Sequence, residues 1–474
     1  METLQRTANR GSISTGYDID NSYKNENDNT ERMYRPWGGI TANTRTWTVS
    51  LWVKRTELGA CYTWGAGVSG NDVLVVDFDS DDRLGFRSTI SATNDCVYRT
   101  NRVFRDTSAW YHLVFAVDTT SSTAGNRLRI YVNGVEETSF ATETNFDQND
   151  LTMHNANGSY MEVGAVIGES PRFNGYIAEV NSITGTQYAP TAFGEFDEDS
   201  GIWKPIKFTG SYAENSVFLE FKDSSSLGTD TSGNGQTFTL QNLSAADQAT
   251  DTPTNNFCTF NPLVRVNNNP TISEGGMKVT GGGGTWNQAF GTIGVANGKW
   301  YFEVKVADAS DTGYFGLSTF PAIPDNVSSG QLMYNTSFMV GASSGIDYYY
   351  WQSGSQTSNE STGWGNLSNG DVLGFAIDLD SSTKTCKVYK NNTALSGTAA
   401  NPFDLPTNMQ TEFLFPMYVQ YEQNLDYWRF GGWTENVPDS AASDANGYGT
   451  FEYAPPSGYL AICSQNLASS GGTA

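Results

Sequence analysis

The chain is 474 residues long and carries a formal net charge of −24, from 51 acidic and 27 basic side chains. A surface this acidic repels nucleic acid and anionic lipid, and it repels anionic glycans unless a cation bridges them. Glycine is frequent, with 49 residues, and aromatic residues make up 13 % of the chain. This composition suits short strands joined by tight turns and argues against long helices.

The start of the chain and its few histidines exclude further classes. Residues 1–5 (METLQ) lack the basic and apolar regions of a secretion signal, and no run of 18 apolar residues occurs. We therefore expect neither export by the chain's own signal nor membrane insertion. With only two histidines, His-based catalysis and histidine-rich metal sites have almost no material.

We expect residues 1–15 to form an N-terminal arm and residues 16–199 to form the first β-sandwich. Its clearest strand is 47–54, where apolar side chains at every second position alternate with Thr, Ser and Lys, which indicates one buried face. Further strands are predicted at 73–78, 83–86, 110–117 and 127–132. Asn133-Gly134, after the last of these, indicates a type I′ hairpin turn.

Residues 200–268 are predicted to connect two domains. They are rich in Ser, Thr, Asn and Gly and contain one clear strand, 217–221. A flexible linker and an ordered strap packed against a neighbouring domain both fit this composition. Apolar side chains spread among the polar ones favour the strap: Phe238, Leu240, Leu243, Phe257 and Phe260.

Residues 269–467 predict a second β-sandwich, and residues 468–474 a frayed tail. Asn391-Asn392 is expected to close a hairpin, and Gly281–Gly284 to form a flexible turn. Strands with alternating faces are predicted at 300–306, 314–317, 372–378, 385–389 and 414–419. The fold class is therefore all-β, with two antiparallel β-sandwich (jelly-roll) domains joined by an extended strap.

The five cysteines are odd in number, widely spaced and without a CxxC pair. We expect them to be small buried hydrophobic residues rather than a disulfide framework or a zinc site. The alternative is a bridge between Cys61 and Cys96 across a sheet.

Short motifs in both predicted sandwiches resemble known families. The order and spacing of four segments resemble the laminin-G-like, concanavalin-A-like jelly roll: 47–54 (WTVSLWVK), 110–118 (WYHLVFAVD), 128–134 (LRIYVNG) and 173–180 (FNGYIAEV). A second set resembles a SPRY domain: 298–306 (GKWYFEVKV), 313–318 (GYFGLS), 370–378 (GDVLGFAID), 386–390 (CKVYK) and 428–431 (WRFG).

A laminin-G-like domain followed by a SPRY domain is similar to structural proteins of marine bacteriophages. This resemblance implies a non-enzymatic virion appendage of the tail-fibre or receptor-binding type that binds a host-surface glycan or receptor. A capsid-anchored decoration or fibre protein is the alternative. The resemblance also implies contacts with other virion proteins, a homo-oligomer with a trimer favoured, and a protein made in the host cytoplasm and released by lysis.

Glu195, Asp197 and Asp199 are the sharpest catalytic candidates, because alternate carboxylates on one strand line the cleft of β-jelly-roll glycosidases. They support a second alternative, a polysaccharide depolymerase. The run follows the last laminin-G-like strand, however, which favours an exposed acidic exit from the domain.

Asp77, Asp79, Asp81 and Asp82 form a second acidic cluster. Laminin-G-like domains often hold Ca²⁺ at the rim, and several oxygen ligands in one loop suit that ion. We expect no other cofactor, and a solvated turn is the alternative to Ca²⁺.

Aromatic residues are the candidate ligand contacts. Alternation along 348–351 would place Tyr348 and Tyr350 on one face and Tyr349 and Trp351 on the other. One pair would pack in the core, and the other would stack on a sugar ring or a partner. Trp364 in the second sandwich and Trp64 in the first, each beside glycines, carry the same two alternatives.

Overall fold

The computed structural model describes residues 16–27, 30–37, 44–266, 270–281, 286–309, 313–319, 337–342, 346–352, 355–360, 363–397, 399–420, 426–435, 438 and 440–469. The predicted arm 1–15, most of the predicted glycine turn and the end of the predicted tail lie outside these residues. The chain divides into two compact units, the first ending at Thr254 and the second beginning at Asn255.

The first unit is built from short strands. They are β1 (Ser22–Asn25), β2 (Arg32–Pro36), β3 (Thr46–Arg55), β4 (Cys61–Ser69), β5 (Asp72–Phe78), β6 (Arg83–Ile90), β7 (Thr93–Val103), β8 (Tyr111–Asp118), β9 (Leu128–Val132), β10 (Val135–Glu136), β11 (Phe140–Thr144), β12 (Tyr160–Val163), β13 (Gly175–Thr184), β14 (Gly194–Phe196), β15 (Trp203–Pro205), β16 (Val217–Leu219), β17 (Thr239–Gln241) and β18 (Gln248–Ala249). Single 3₁₀ turns lie at Ala124–Asn126, Pro190–Ala192 and Ala245–Asp247.

Two antiparallel sheets of the first unit pack face to face. Sheet A has the strand order β10-β9-β8-β3-β13-β1-β18, with β16 also paired to β13, and sheet B has the order β11-β7-β6-β5-β4-β12-β2-β17. Side chains of both sheets form one apolar core. Trp47 of sheet A lies 6.2 Å from Trp64 of sheet B, and Phe115 lies 5.8 Å from Phe86, between ring centroids. The first unit is therefore a β-sandwich.

Residues 186–254 are called the covering segment: their first part packs on the outer face of sheet A, and their later strands extend both sheets. Their aromatic side chains pack on apolar side chains of β8, β9 and β13, in a cluster of Val114, Ala116, Tyr131, Ile183, Phe193 and Phe208. Trp203 Nε1 donates a hydrogen bond to His112 Nδ1 at 3.0 Å. Because an indole nitrogen only donates, His112 must carry its proton on Nε2, which donates to Ser50 Oγ at 2.8 Å. Burial lowers the pKa of His112 to about 3, which keeps the ring neutral.

The structure moves the predicted domain boundary from residue 199 to Thr254. Strands β16, β17 and β18 of the predicted connector pair with β13, β2 and β1. Near the end of the segment, Asp251 Oδ2 lies 2.6 Å from Lys54 Nζ, and both side chains are fully buried. Thr48, Ser50 and Lys54, which the alternation pattern places on a solvent-facing side of β3, are therefore buried as well.

The second unit is also built from strands. They are β19 (Phe260–Val266), β20 (Thr271–Ser273), β21 (Lys278–Thr280), β22 (Asn287–Gly291), β23 (Lys299–Lys305), β24 (Gly313–Thr319), β25 (Ser337–Ala342), β26 (Ile346–Gln352), β27 (Ser355–Glu360), β28 (Val372–Asp378), β29 (Thr385–Lys390), β30 (Thr393–Ala394), β31 (Phe403–Asp404), β32 (Leu414–Gln420), β33 (Tyr427–Arg429) and β34 (Leu460–Ala461). A 3₁₀ turn lies at Thr407–Met409, and helix α1 spans Ser464–Ser469.

The second unit has the same two-sheet architecture. Sheet C has the order β19-β22-β32-β24-β25-β26-β27, and sheet D has the order β30-β29-β28-β23-β33, with β31 on β29 and β34 on β23. Trp428 of sheet D contacts Phe315 and Tyr418 of sheet C, with ring centroids 6.1 and 5.6 Å apart. The predicted fold class, all-β with antiparallel sandwiches, is confirmed.

Smaller predictions can also be compared with the structure. Asn133 and Gly134 have φ values of 49° and 77°, as a type I′ turn requires, and Asn391 and Asn392 have φ values of 49° and 64°. All five cysteines are buried and free, as predicted. The Cys61–Cys96 alternative is wrong, because two strands separate β4 from β7 in sheet B. In the part of the chain that the structure describes, no helix is long and apolar enough to cross a bilayer.

Candidate functional site

The outer face of sheet B carries a row of side chains that runs across neighbouring strands. Tyr62 on β4 lies opposite Asp77 on β5, Asp77 opposite Gly85 on β6, and Gly85 opposite Arg99 on β7. Their neighbours Phe78, Leu84, Phe86 and Tyr98 belong to the core. Since successive side chains of a strand point to opposite faces, these four residues, here called the polar row, point away from the core.

Arg99 lies flat across Gly85 and binds Asp77. Its Nη1 donates a hydrogen bond to Asp77 Oδ2 at 2.7 Å, and its Nε lies 3.7 Å from Asp79 Oδ2. A Cβ atom at residue 85 would lie 1.9 Å from Arg99 Nη1 and 2.6 Å from Asp77 Oδ1. Any residue other than glycine would therefore push the guanidinium off the sheet.

A second arginine extends the row. Arg87 Nη2 donates to Glu169 Oε1, and its Nη1 donates to Thr89 Oγ1 at 2.9 Å. Burial, the negative charges of Glu169 and Asp77 and a hydrogen bond to Glu169 raise the pKa of the Tyr62 hydroxyl. The side chains of Arg87, Arg99 and Glu169 are 24, 20 and 20 % exposed, so solvent reaches them although their partners hold them in place.

Burial has different effects on the pKa of Asp77 and on that of Asp79. It raises the pKa of Asp77, although Arg99 opposes the shift. At Asp79 burial is outweighed by hydrogen bonds from the backbone N–H groups of Arg83 and Asp81, which lower the pKa. Asp77 Oδ1 is buried, and within the described residues it accepts no hydrogen bond.

The same face of sheet B ends in an aromatic area. Tyr34 and Tyr160 meet edge to face with ring centroids 6.1 Å apart, and the Arg32 guanidinium lies 4.6 Å from the Tyr34 centroid. Arg32 also donates to Glu162 Oε1 at 2.6 Å. Between this area and the polar row lies a ridge, residues 164–172, whose Val166 packs on Val73 and Val75.

The four aspartates proposed for Ca²⁺ are held by arginines instead of converging on one point. Asp82 binds Arg55 and Arg105, each at 2.9 Å, and Asp81 binds Arg83 at 2.7 Å. Asp77 and Asp79 pair with Arg99, as described above. Within the described ranges, no group of three or more His, Cys, Asp or Glu side chains is placed to hold a metal ion.

We expect Ca²⁺ to leave the thermal stability of the first unit unchanged. The arginines already neutralise the four carboxylates, so a bound ion would have to displace several short ion pairs. The measurement is the melting temperature in about millimolar CaCl₂, a concentration in the range of weak extracellular sites, against excess chelator. A higher melting temperature with Ca²⁺ that Asp79→Asn abolishes would contradict this expectation.

Two of the predicted aromatic contacts are core residues. Trp64 is fully buried against Trp47, and Trp364 is 7 % exposed and stacks on Phe403 with centroids 5.5 Å apart. Neither ring can stack on a ligand from this position, so their assignment as ligand contacts is wrong. The side chains of Tyr348, Tyr350 and Trp351 lie outside the described residues, although their backbone forms part of β26.

The Glu195–Asp199 run forms part of a small hairpin, not a cleft. Strand β14 pairs with β15, and Lys204 Nζ lies 3.3 Å from Glu195 Oε1 and 3.2 Å from Asp197 Oδ2. Hydrogen bonds from the Ser200 hydroxyl and backbone N–H lower the pKa of Asp197 to about 2. Because Lys204 pairs with both carboxylates, we interpret them as residues that stabilise the hairpin.

Tyr62, Gly85, Arg87 and Arg99 were missed by the sequence reasoning. One signal was present: in 93–103, Cys96, Tyr98 and Thr100 alternate with polar or partly exposed side chains, which is the pattern of a strand. A glycine inside a strand, such as Gly85, also marks the close approach of another group.

The fold of the first unit is a β-sandwich of the laminin-G-like, concanavalin-A-like type. Residues 31–185 match the family model described as the concanavalin A-like lectin/glucanases superfamily. The match covers the two sheets except β1, β16, β17 and β18, and it supports a binding role.

Solved structures that are similar to the chain include a pair of laminin domains, a pentraxin and a SPRY domain. Domains LG4-5 of the mouse laminin alpha1 chain are 10 % identical, covering 87 % of this chain and 90 % of that one, with a TM-score of 0.30. A native heptameric SAP-like pentraxin from Limulus polyphemus is 13 % identical (48 % and 97 % covered, TM-score 0.29). The SPRY domain of human HERC1 is 17 % identical (36 % and 96 % covered, TM-score 0.25). No curated protein matches the sequence.

Proposed function

We propose that this protein is a bacteriophage virion appendage, of the tail-fibre or receptor-binding type, that displays lectin-like β-sandwiches to bind a host-surface glycan or receptor. The observation that carries the binding role is the polar row. Arg99, Asp77 and Gly85 hold each other in one arrangement on a flat, solvent-facing sheet. Ligand contacts fixed before binding lose little conformational entropy when the ligand arrives.

Binding is favoured over catalysis by how the carboxylates are held. Hydrolysis of a glycosidic bond needs two carboxyl groups that flank the bond, one as acid and one as base or nucleophile. Asp77 and Asp79 instead share Arg99, and Glu195 and Asp197 share Lys204. We therefore propose a non-enzymatic protein, and the depolymerase becomes an outcome of the experiments.

The virion context rests on the resemblance of the two sandwiches to marine phage structural proteins. We propose a homo-oligomer, with a trimer favoured, because several weak sugar contacts on one particle raise the overall avidity. The SPRY interpretation of the second unit stays a prediction.

Labelling whole phage particles with an antibody against the purified chain tests the virion assignment by electron microscopy. We expect label at the fibres, together with capture of host cells by the purified protein. Label spread over the capsid, without cell capture, would favour the capsid-decoration alternative. Release of reducing sugar ends from host polysaccharide would establish the depolymerase.

We expect Arg99→Met to weaken glycan or cell binding at least about tenfold, since hydrogen bonds from a charged donor contribute about 1.5–3 kcal/mol each. The matched control is Arg102→Met on the same strand, because Arg102 pairs with Glu137 at 2.9 Å outside the polar row. The measurement is a binding isotherm for each variant. Equal weakening in both variants would exclude the polar row as the site.

A further inference from the structure

We infer that the polar row recognises an uncharged glycan, with sugar hydroxyls bridging its arginines and carboxylates. This inference rests on the glycan-binding function proposed above and names the chemical class of the ligand. It is argued from the charge of the row, from its hydrogen-bonding groups and from its shape.

Charge in the polar row and among the side chains next to it is already balanced. Arginines and carboxylates form consecutive ion pairs: Arg83 with Asp79 and Asp81, Arg87 with Glu169, and Arg99 with Asp77 and Asp79. These three cations face four anions, so no excess positive charge is left for a sulfate or a uronate. The chain's net charge of −24 adds a long-range repulsion for polyanions.

The hydrogen-bonding groups suit hydroxyls. A sugar hydroxyl both donates and accepts, so it can accept from a guanidinium and donate to the neighbouring carboxylate without breaking the ion pair. Among the described residues, Nη2 of Arg99 donates to no protein group, whereas Nη1 is engaged by Asp77. An anion at the same Nη2 would instead lie close to the carboxylates of Asp77 and Asp79, which repel it.

The shape of the row suits a short chain of sugar rings. Thr142 on β11 lies opposite Arg99, so the row continues to the sheet edge with an exposed hydroxyl. Five strands about 4.8 Å apart give a path of about 19 Å. Gly85 keeps the middle of this path flat, and Tyr62, packed beside the ridge of residues 164–172, closes its other end.

Three variants of the full chain test the inference. Arg99→Met removes the donor, and Gly85→Ala keeps every charge but places a methyl group where the guanidinium lies. Arg102→Met is the matched control. Arg99→Met and Gly85→Ala are expected to lower the melting temperature, because each separates the buried Asp77 carboxylate from its cation, whereas Arg102→Met should change it little. Binding is therefore compared well below the lowest of the three melting temperatures.

The probes are immobilised uncharged glucans and galactans beside sulfated and uronate polysaccharides, measured at about 0.05 and about 0.5 M NaCl, where screening differs strongly. We expect the uncharged polymers alone to bind, with the same affinity at both salt concentrations. Gly85→Ala and Arg99→Met should each lower this affinity at least about tenfold, and Arg102→Met less than about twofold.

The other outcomes separate the two proposals. Salt-sensitive binding of sulfated or uronate polymers that Arg99→Met weakens would overturn the ligand class and keep the glycan-binding function. Uncharged-glycan binding that Gly85→Ala and Arg99→Met leave intact would overturn the row as its site. No binding to any glycan or host cell would overturn the proposed function itself, and the inference with it.

Discussion

Replacing Trp428 with alanine is expected to lower the free energy of unfolding of the second unit by about 3–5 kcal/mol, the usual range for truncating a buried Trp. The indole is fully buried between sheets C and D. Five aromatic rings lie within 4.9–6.1 Å of it, between centroids: Phe260, Phe302, Phe315, Tyr418 and Phe430. Alanine would leave a cavity that rings from both sheets cannot fill by small shifts.

Calorimetry of the whole chain checks this prediction. The unfolding transition of the second unit should shift to lower temperature in Trp428→Ala. Trp47→Ala should shift the transition of the first unit and so identifies it. Trp428→Phe is the matched variant. Trp428 Nε1 makes no hydrogen bond to a described residue, so phenylalanine loses volume but no polar contact. A smaller shift is expected for it, and equal shifts for phenylalanine and alanine would contradict the packing argument.

The stability of the first unit is expected to fall as the pH rises from about 7 to about 8, because of Glu179. Burial raises the pKa of this carboxyl to about 8, and the nearby charge of Glu220 adds to the effect. The Tyr17 hydroxyl donates to Glu179 Oε1 at 2.9 Å, and Lys222 opposes the shift. Glu179 also lies at a break in the β3–β13 register with a φ of 48°, a left-handed conformation that strains a glutamate.

The sign follows from proton binding. Between the unfolded pKa of 4.5 and the folded value of about 8, the native state keeps a proton that the unfolded state has lost. The stability that Glu179 contributes is therefore fully present below the unfolded pKa and is lost as the pH rises through the folded one, by on the order of 5 kcal/mol in total. Groups with a lowered pKa act in the opposite direction below about pH 7: the buried His112 and His154, whose pKa falls to about 3, and the carboxyls of Asp79 and Asp82.

Denaturant unfolding of the first unit at several pH values measures this slope. Glu179→Gln should flatten it, since the amide stays neutral throughout. The control, Glu195→Gln, removes a carboxylate whose side chain is 54 % exposed and should leave the slope unchanged. A slope that persists in Glu179→Gln would assign the effect to another group.

The sequence predicts the central strands well, because their apolar side chains recur at every second position. Strands 47–54, 372–378 and 385–389 differ from β3, β28 and β29 by one residue or less at each end. Strands β4 and β7 were not predicted. The first contains Gly65 and Gly67, and the second is rich in Arg, Thr and Asn, so neither has a strong apolar period.

The candidate site was predicted only in part. Asp77 and Asp79 were singled out, but as ligands of Ca²⁺. The partner that changes their role, Arg99, is brought opposite Gly85 by the register of β6 and β7, and a single sequence does not give that register. For Trp64 the sequence left core packing and ligand stacking open. Its flanking glycines do not decide between them, whereas in the structure Gly65 lies within β4, under the side chain of Val166.

The covering segment determines which residues must be kept together when the first unit is transferred to another chain. Sheet A would present Val114, Ala116 and Ile183 to water if the chain ended near residue 185, where the family match stops, and an exposed apolar patch of this kind promotes aggregation. Residues 16–254 therefore form the smallest module that can be transferred as a whole. Recombination between related genes that exchanges the first β-sandwich is expected to succeed only when both sheets and the segment packed on sheet A are exchanged as one block.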